Sequence, residues 1–257
     1  MRVATWNVNS IRVRLPRLLA WLERESPDVV CLQETKVIDQ HFPSSEIEAR
    51  GYSCLVYGQP AYNGVAILSR YPLRPLLRGF PEEGEDGESR LLGALIEGTA
   101  VLSVYVPNGK EVGNPAYERK LAWLDRLRNL LEHTLSIADD VVVCGDFNVA
   151  PDDRDVHDPE RWQGRLLCSD AERRALSRVM DLGLVDLIRL HHPGPGPFTW
   201  WDYRGGAFHR GWGLRIDHLF ASPRLAGGCV AAEAHREERK GERPSDHVPV
   251  VADFSLP

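Results

Sequence analysis

Five short clusters gather the side chains best suited to metal or phosphate chemistry: Trp6-Asn7-Val8-Asn9, Leu32-Gln33-Glu34-Thr35, Tyr105-Val106-Pro107-Asn108-Gly109, Gly145-Asp146-Phe147-Asn148 and Ser245-Asp246-His247. They offer carboxylates, amides, one phenol and one imidazole. Such oxygen-rich sets suit Mg²⁺ or Mn²⁺, whereas zinc prefers nitrogen and sulfur. Taken singly, each has a plain structural reading. An Asn ending a strand is often a turn former, a lone Glu is usually solvated, and Gly-Asp-Phe-Asn is compatible with Asx-turn chemistry. His247 is one of nine histidines, and most histidines do no chemistry.

What unites the clusters is where they stand, at the ends of runs that read as strands. Short β-rich runs recur at Arg2–Trp6, Asp28–Gln33, Gly64–Ser69, Leu91–Glu97, Ala100–Val106, Val141–Asp146, Arg215–Ala221 and His247–Phe254. Val29-Val30-Cys31-Leu32 and Val141-Val142-Val143-Cys144 are continuously apolar, as expected for strands covered on both faces. Asn114-Pro115 makes an N-cap and first-turn pair, followed by Tyr117, Leu121, Leu124, Leu127 and Leu131 at helical spacing. Ser169 and Glu172 form a capping box and Gly183 a stop, predicting a second helix over about 170–182. The acidic Pro81–Ser89 loop and the long connections Ala150–Gly164 and His191–Pro197 have the length of functional or mobile loops.

No linker or composition break divides the chain, so residues 1–257 are expected to form a single domain. With 43% hydrophobic residues it can bury a full core. No charged leader, and no apolar run of the roughly 18 residues a membrane span requires, is present, so a soluble cytoplasmic protein is expected. Five scattered cysteines predict reduced thiols rather than a disulfide framework or zinc site. A formal charge of -6 argues against coating a long phosphate backbone and restricts any nucleic-acid contact to a local surface.

These clusters, in this order, resemble the exonuclease III and AP endonuclease branch of the endonuclease/exonuclease/phosphatase (DNase I-like) superfamily, from Val3 to Phe254. The most specific stretches are Phe198-Thr-Trp-Trp-Asp-Tyr-Arg and Gly213-Leu-Arg-Ile-Asp-His-Leu-Phe-Ala-Ser. The resemblance implies a four-layer α/β sandwich, two packed mixed β-sheets flanked by helices. It also implies a divalent-metal-dependent DNA repair nuclease that hydrolyses the phosphodiester 5′ to an abasic site and trims 3′ ends. Its substrate would be duplex DNA with abasic sites or blocked or recessed 3′ ends. The protein would act as a monomer, associated with the nucleoid through that DNA. By the same resemblance Glu34 is the main metal carboxylate, with Asn7 and Asp246 as ligands or water-mediated supports. Asn9 stands where some relatives carry Asp. Asp146 positions or activates water, Asn148 orients the phosphate, Tyr105 and Asn108 add hydrogen bonds, and Asp217 pairs with His247. Asp146 and His247 both remain candidates for the general base.

The resemblance further implies an abasic pocket of Trp200, Leu214 and Ile216, for which core packing is the competing reading. Trp201, Tyr203 and Trp212, interleaved with Arg204, Arg210 and Arg215, suit stacking and phosphate contacts on distorted DNA. Lys36, Arg90 and Arg119 are further candidate backbone contacts. Two rivals use the same residues: a phosphodiesterase or phosphatase acting on RNA or a non-DNA phosphate ester, and a binding protein that has kept only the fold. The intact set of Asn7, Glu34, Asp146, Asn148, Asp217, Asp246 and His247 speaks against the second.

Overall fold

The computed structural model describes residues 1–82 and 87–255. Positions 83–86 of the acidic 81–89 loop lie outside the described residues. The described strands are β1 (Arg2–Asn7), β2 (Val29–Gln33), β3 (Ser53–Tyr57), β4 (Val65–Ser69), β5 (Leu73–Arg78), β6 (Leu91–Ile96), β7 (Thr99–Tyr105), β8 (Val141–Asp146), β9 (Val185–Asp186), β10 (Asp217–Ala221), β11 (Cys229–Ala234) and β12 (Val250–Phe254). The helices are α1 (Ile11–Glu25), α2 (Ser44–Glu48), α3 (Pro115–Ile137), α4 (Pro159–Trp162), α5 (Asp170–Met180), α6 (Leu187–His191), α7 (Ala207–Arg210) and α8 (Pro223–Ala226). None is long and apolar enough to cross a membrane.

One sheet runs β11-β12-β1-β2-β4-β3 and the other β5-β6-β7-β8-β10-β9. Each has a parallel pair near its middle, β1 with β2 and β7 with β8, flanked by antiparallel neighbours. The sheets face each other across Val3, Val29, Cys31 and Ile67 from one, and Val101, Val142, Cys144 and Leu219 from the other. Trp21 and Leu22 of α1 cover the outer face of the first sheet. Leu124, Leu127 and Leu131 of α3, with Leu176 and Val179 of α5, cover the second. The result is the four-layer α/β sandwich.

Both helix signals take the form their residues dictate. The Asn114 side chain accepts from Ala116 N at 2.9 Å, and Ser169 and Glu172 cap each other reciprocally. The five cysteines are free thiols.

Candidate active site

The parallel pairs place the carboxyl ends of β1, β2, β7 and β8 along one rim, and their antiparallel neighbours bring the starts of β10 and the approach to β12 to the same rim. Asn7 ends β1 and Glu34 follows β2. Tyr105 ends β7 opposite Asp146, the last residue of β8, and Asp217, the first of β10, also lies opposite Asp146. The chain there adopts costly backbone: Asn9, Glu34, Lys36 and Asn148 have φ of 44°, 51°, 57° and 51°. Gly145 is required for packing, because a Cβ would come within 1.9 Å of the Val104 carbonyl oxygen.

Ligating atoms of Glu34, Asp146 and His247 lie within 4.8 Å of one another. The Asn7 amide donates to Glu34 Oε1 at 2.8 Å and to Asp146 Oδ2 at 2.9 Å. His247 Nδ1 lies 2.9 Å from Asp217 Oδ2, and Nε2 is 3.8 Å from Asp146 Oδ2. Thr199 Oγ donates to Asp217 at 2.6 Å, and Ser245 Oγ donates to the Asn7 carbonyl at 2.7 Å. On the side of the β7 and β8 loops, Asn148 Nδ2 donates to the Val106 carbonyl at 3.0 Å and Asn108 Nδ2 to Asn148 Oδ1 at 3.1 Å.

Burial dominates the electrostatics. It pushes the Asp146 carboxyl up to about 7, against the opposing pull of His247, with Asp217 and Glu34 adding to the rise. Burial also opposes charge on His247, but Asp217 and Asp146 outweigh it and raise the imidazole to about 10. His247 is therefore an imidazolium at neutral pH, held by Asp217. Burial, Glu34 and Asp146 hold the Tyr105 phenol well above its ordinary value, so it serves as a neutral donor.

Two buried or half-buried carboxylates facing one gap fit a hard divalent cation that keeps waters as its remaining ligands. Imidazolium has no lone pair for a metal, which leaves Glu34 and Asp146 as donors. Of the three residues expected around the metal, Glu34 belongs to this cluster, Asn7 lies against both of its carboxylates, and Asp246 stands outside it. Asn7 turns its NH₂ toward both carboxylates, and its oxygen accepts from Asn9 N at 3.0 Å. Asp246 accepts from Asn9 Nδ2 at 2.9 Å and Trp200 Nε1 at 3.0 Å. Those bonds, with the nearby His247 charge, hold its carboxyl below the usual range despite burial. Lys36 Nζ contacts Glu34 Oε2 at 2.8 Å and Asn9 Oδ1 at 2.5 Å.

The expected DNA surface divides. Arg215 corrects the sequence reading: it is 0% exposed and paired with Asp155 and Asp186, so its guanidinium cannot reach a phosphate. Leu214 and Ile216 are 0% and 1% exposed, packed with Ala150, Val156 and Cys168. Their expected role in an abasic pocket is corrected accordingly, since they are closed off and of the three only Trp200 reaches the surface. Trp201 is core, whereas Tyr203 is exposed and Arg210 lies 4.6 Å over the Trp212 ring. Arg90 stacks 4.6 Å over Tyr105 and pairs with Glu88. It shares a cavity of about 590 Å³ with Asn108, Lys110 and Arg119. Arg204 is exposed and away from that cavity.

Thr199, Ser245 and Lys120 are functional neighbours that the sequence does not single out: Ser245 stands within Ser-Asp-His and Thr199 within the Phe198-Thr-Trp-Trp stretch, but neither position shows by itself what its hydroxyl binds.

The family described as endonuclease/exonuclease/phosphatase matches residues 4–247. Exodeoxyribonuclease III of Haemophilus influenzae is 35% identical over 99% of this chain and 100% of its own length. A Neisseria 3′ phosphatase, NExo, solved with product DNA hairpin, is 39% identical with a TM-score of 0.97, all of both chains being covered. An AP endonuclease from Archaeoglobus fulgidus is 40% identical with a TM-score of 0.94, again over all of both chains.

Proposed function

Since the chain belongs to the endonuclease/exonuclease/phosphatase family, within its exonuclease III branch, and is a phosphodiester hydrolase, we propose that it hydrolyses DNA 5′ to abasic sites and trims 3′ ends as a single catalytic domain over residues 1–257. The observation that carries this reading is the buried apposition of Asp146 and His247, with Asn7 bridging Asp146 to Glu34.

Asp146, poised near neutrality, takes the proton of the attacking water. His247, raised by Asp217 and Asp146, carries a proton at neutral pH and faces the phosphoryl and leaving oxygens as a cation. Water oxygen bonds to phosphorus as the bond to the 3′-oxygen breaks. Tyr105, Asn108 and Asn148 donate hydrogen bonds to the phosphate. Mg²⁺ or Mn²⁺ at Glu34, with Asp146 adjoining and Asp246 acting through water, would neutralise charge developing on the phosphate. Lys36, Arg90 and Arg119 supply local backbone contacts on an otherwise acidic molecule, which acts as a monomer and meets the nucleoid through its DNA.

The closed positions of Leu214 and Ile216 favour a second emphasis, 3′-end processing exceeding abasic incision. Three duplexes separate the two: one with a single abasic site, one undamaged and 3′-recessed, and one ending in a 3′-phosphate, each with Mg²⁺, Mn²⁺ or EDTA. Metal-dependent cleavage of the abasic or the 3′-recessed duplex supports the nuclease assignment, release of the 3′-phosphate reports end processing, and the relative rates give the balance. Turnover of RNA or lipid phosphates with all three duplexes intact would overturn it.

A further inference from the structure

Behind the phosphate-facing side of the site, one buried ammonium joins the two loops that carry Asn108 and Asn148. Lys120 projects from α3 and is 0% exposed. Its Nζ donates to the Asn148 carbonyl at 2.6 Å, to the Asn108 carbonyl at 3.1 Å and to the Glu172 carboxylate. Three N–H donors therefore meet three acceptors, which leaves the ammonium no freedom to turn elsewhere.

Glu172 is equally committed. Besides Lys120 it accepts from Leu167 N at 3.1 Å, Ser169 N at 3.1 Å and Ser169 Oγ at 2.6 Å. Ser169 Oγ in turn lies 2.7 Å from the Tyr117 hydroxyl. The anchor is thus built into the N-terminus of α5 and tied back to α3. Gly109 lets the first loop lie directly on the lysine stem: at φ 95°, a Cβ there would stand 3.2 Å from Lys120 Cδ.

A buried ion pair is a weak source of stability, because desolvation offsets most of its attraction. Fixed geometry is the better explanation for this one. We propose that Lys120, held by Glu172, is a positioning residue: it sets the spacing of the Asn108 and Asn148 backbones so that both side-chain amides meet one phosphate. The inference rests on the nuclease reading above. Lys120 does not itself touch substrate; it acts through Asn108 and Asn148.

The test compares the Lys120→Met/Glu172→Leu double variant with the wild type, on the 3′-phosphate duplex with Mg²⁺, alone and in an Asn148→Ala background. Removing both charges together avoids stranding either in the core. The expected loss in kcat is about tenfold to a hundredfold, with KM moved less than about threefold, because the misplaced contacts act on the transition state. In Asn148→Ala the same two substitutions should cost less than about threefold in kcat, since of the two amides they position only Asn108 remains. Unchanged kcat in the folded double variant, or the same fold-loss in the Asn148→Ala background, would overturn the inference. If the double variant does not fold, Glu172→Gln replaces it with the same two comparisons: lower kcat at constant KM supports the anchor, and unchanged kcat overturns it. A wild type inert on all DNA sinks the nuclease reading and this inference with it. An active wild type with unaffected variants sinks this inference alone.

Discussion

Asp146 and His247 are both raised by their surroundings, and the interval between about 7 and about 10 is where the site holds an ionised acid beside a protonated base. Activity should rise as pH passes about 7, where Asp146 loses its proton. It should fall near 10, where His247 loses its own, and a plot of kcat/KM against pH displays both limbs. A cation against Asp146 favours the carboxylate and moves the rising limb to lower pH. Asp217→Asn removes the largest charge that raises His247, so the falling limb should move toward neutrality. An unmoved limb would show that another group sets it. Glu34→Ala and His247→Ala should each lower kcat by about a thousandfold while the protein remains folded by circular dichroism; full activity in both would discard the site assignment. At this scale much was legible, because strand ends announced themselves through apolar runs that stop at Asn, Glu or Asp. Lys120 was not, although its place between Tyr117 and Leu124 on the buried stripe of α3 was the available clue. A lysine in an otherwise apolar stripe reads as a solvated exception until its partners from other loops are known.

The strands divide just as clearly into those the sequence announces and those it conceals. β1, β2, β4, β6, β7, β8, β10 and β12 correspond to the apolar runs, whereas β3, β5, β9 and β11 do not, and these four are the outer strands of the two sheets. Edge strands lack neighbours on one side and are wetter, so their residues lose the continuous apolar pattern. β5 even contains Pro75, tolerable only at an edge. α1 was concealed by Pro16 and its arginines, yet it buries Leu18, Trp21 and Leu22. Close contact between β7 and β8 depends on Gly145. Gly145→Ala should therefore destabilise by about 2 kcal/mol or more, lowering the melting temperature by at least about 4 °C and kcat with it. A melting temperature and kcat equal to wild type would mean that the strands can separate without moving Asp146.

Across the whole molecule, a buried network of Arg215, Asp155, Asp186 and His218 lies beneath the active rim. His218 is held neutral, its pKa lowered to about 4 first by burial and then by Arg215. A depressed histidine contributes stability that is complete above its unfolded value of 6.5 and is lost as pH falls through about 4. Between pH 7 and pH 4, wild type should lose about 3 kcal/mol relative to His218→Gln, measured by denaturant unfolding; a constant gap would refute the buried neutral state. A formal net charge of -6 disfavours contact with many phosphates, so affinity should fall with salt at a log–log slope of about −3, and a slope steeper than about −6 would reveal a wider contact surface. The central claim is tested most directly by single-turnover hydrolysis of a 3′-phosphate duplex and an abasic duplex with Mg²⁺, by wild type and by Asp146→Asn. The account predicts cleavage by wild type that EDTA abolishes, and a loss of about a thousandfold or more in a variant that melts like wild type. Wild-type inertness on both duplexes, or undiminished cleavage by Asp146→Asn, would contradict it.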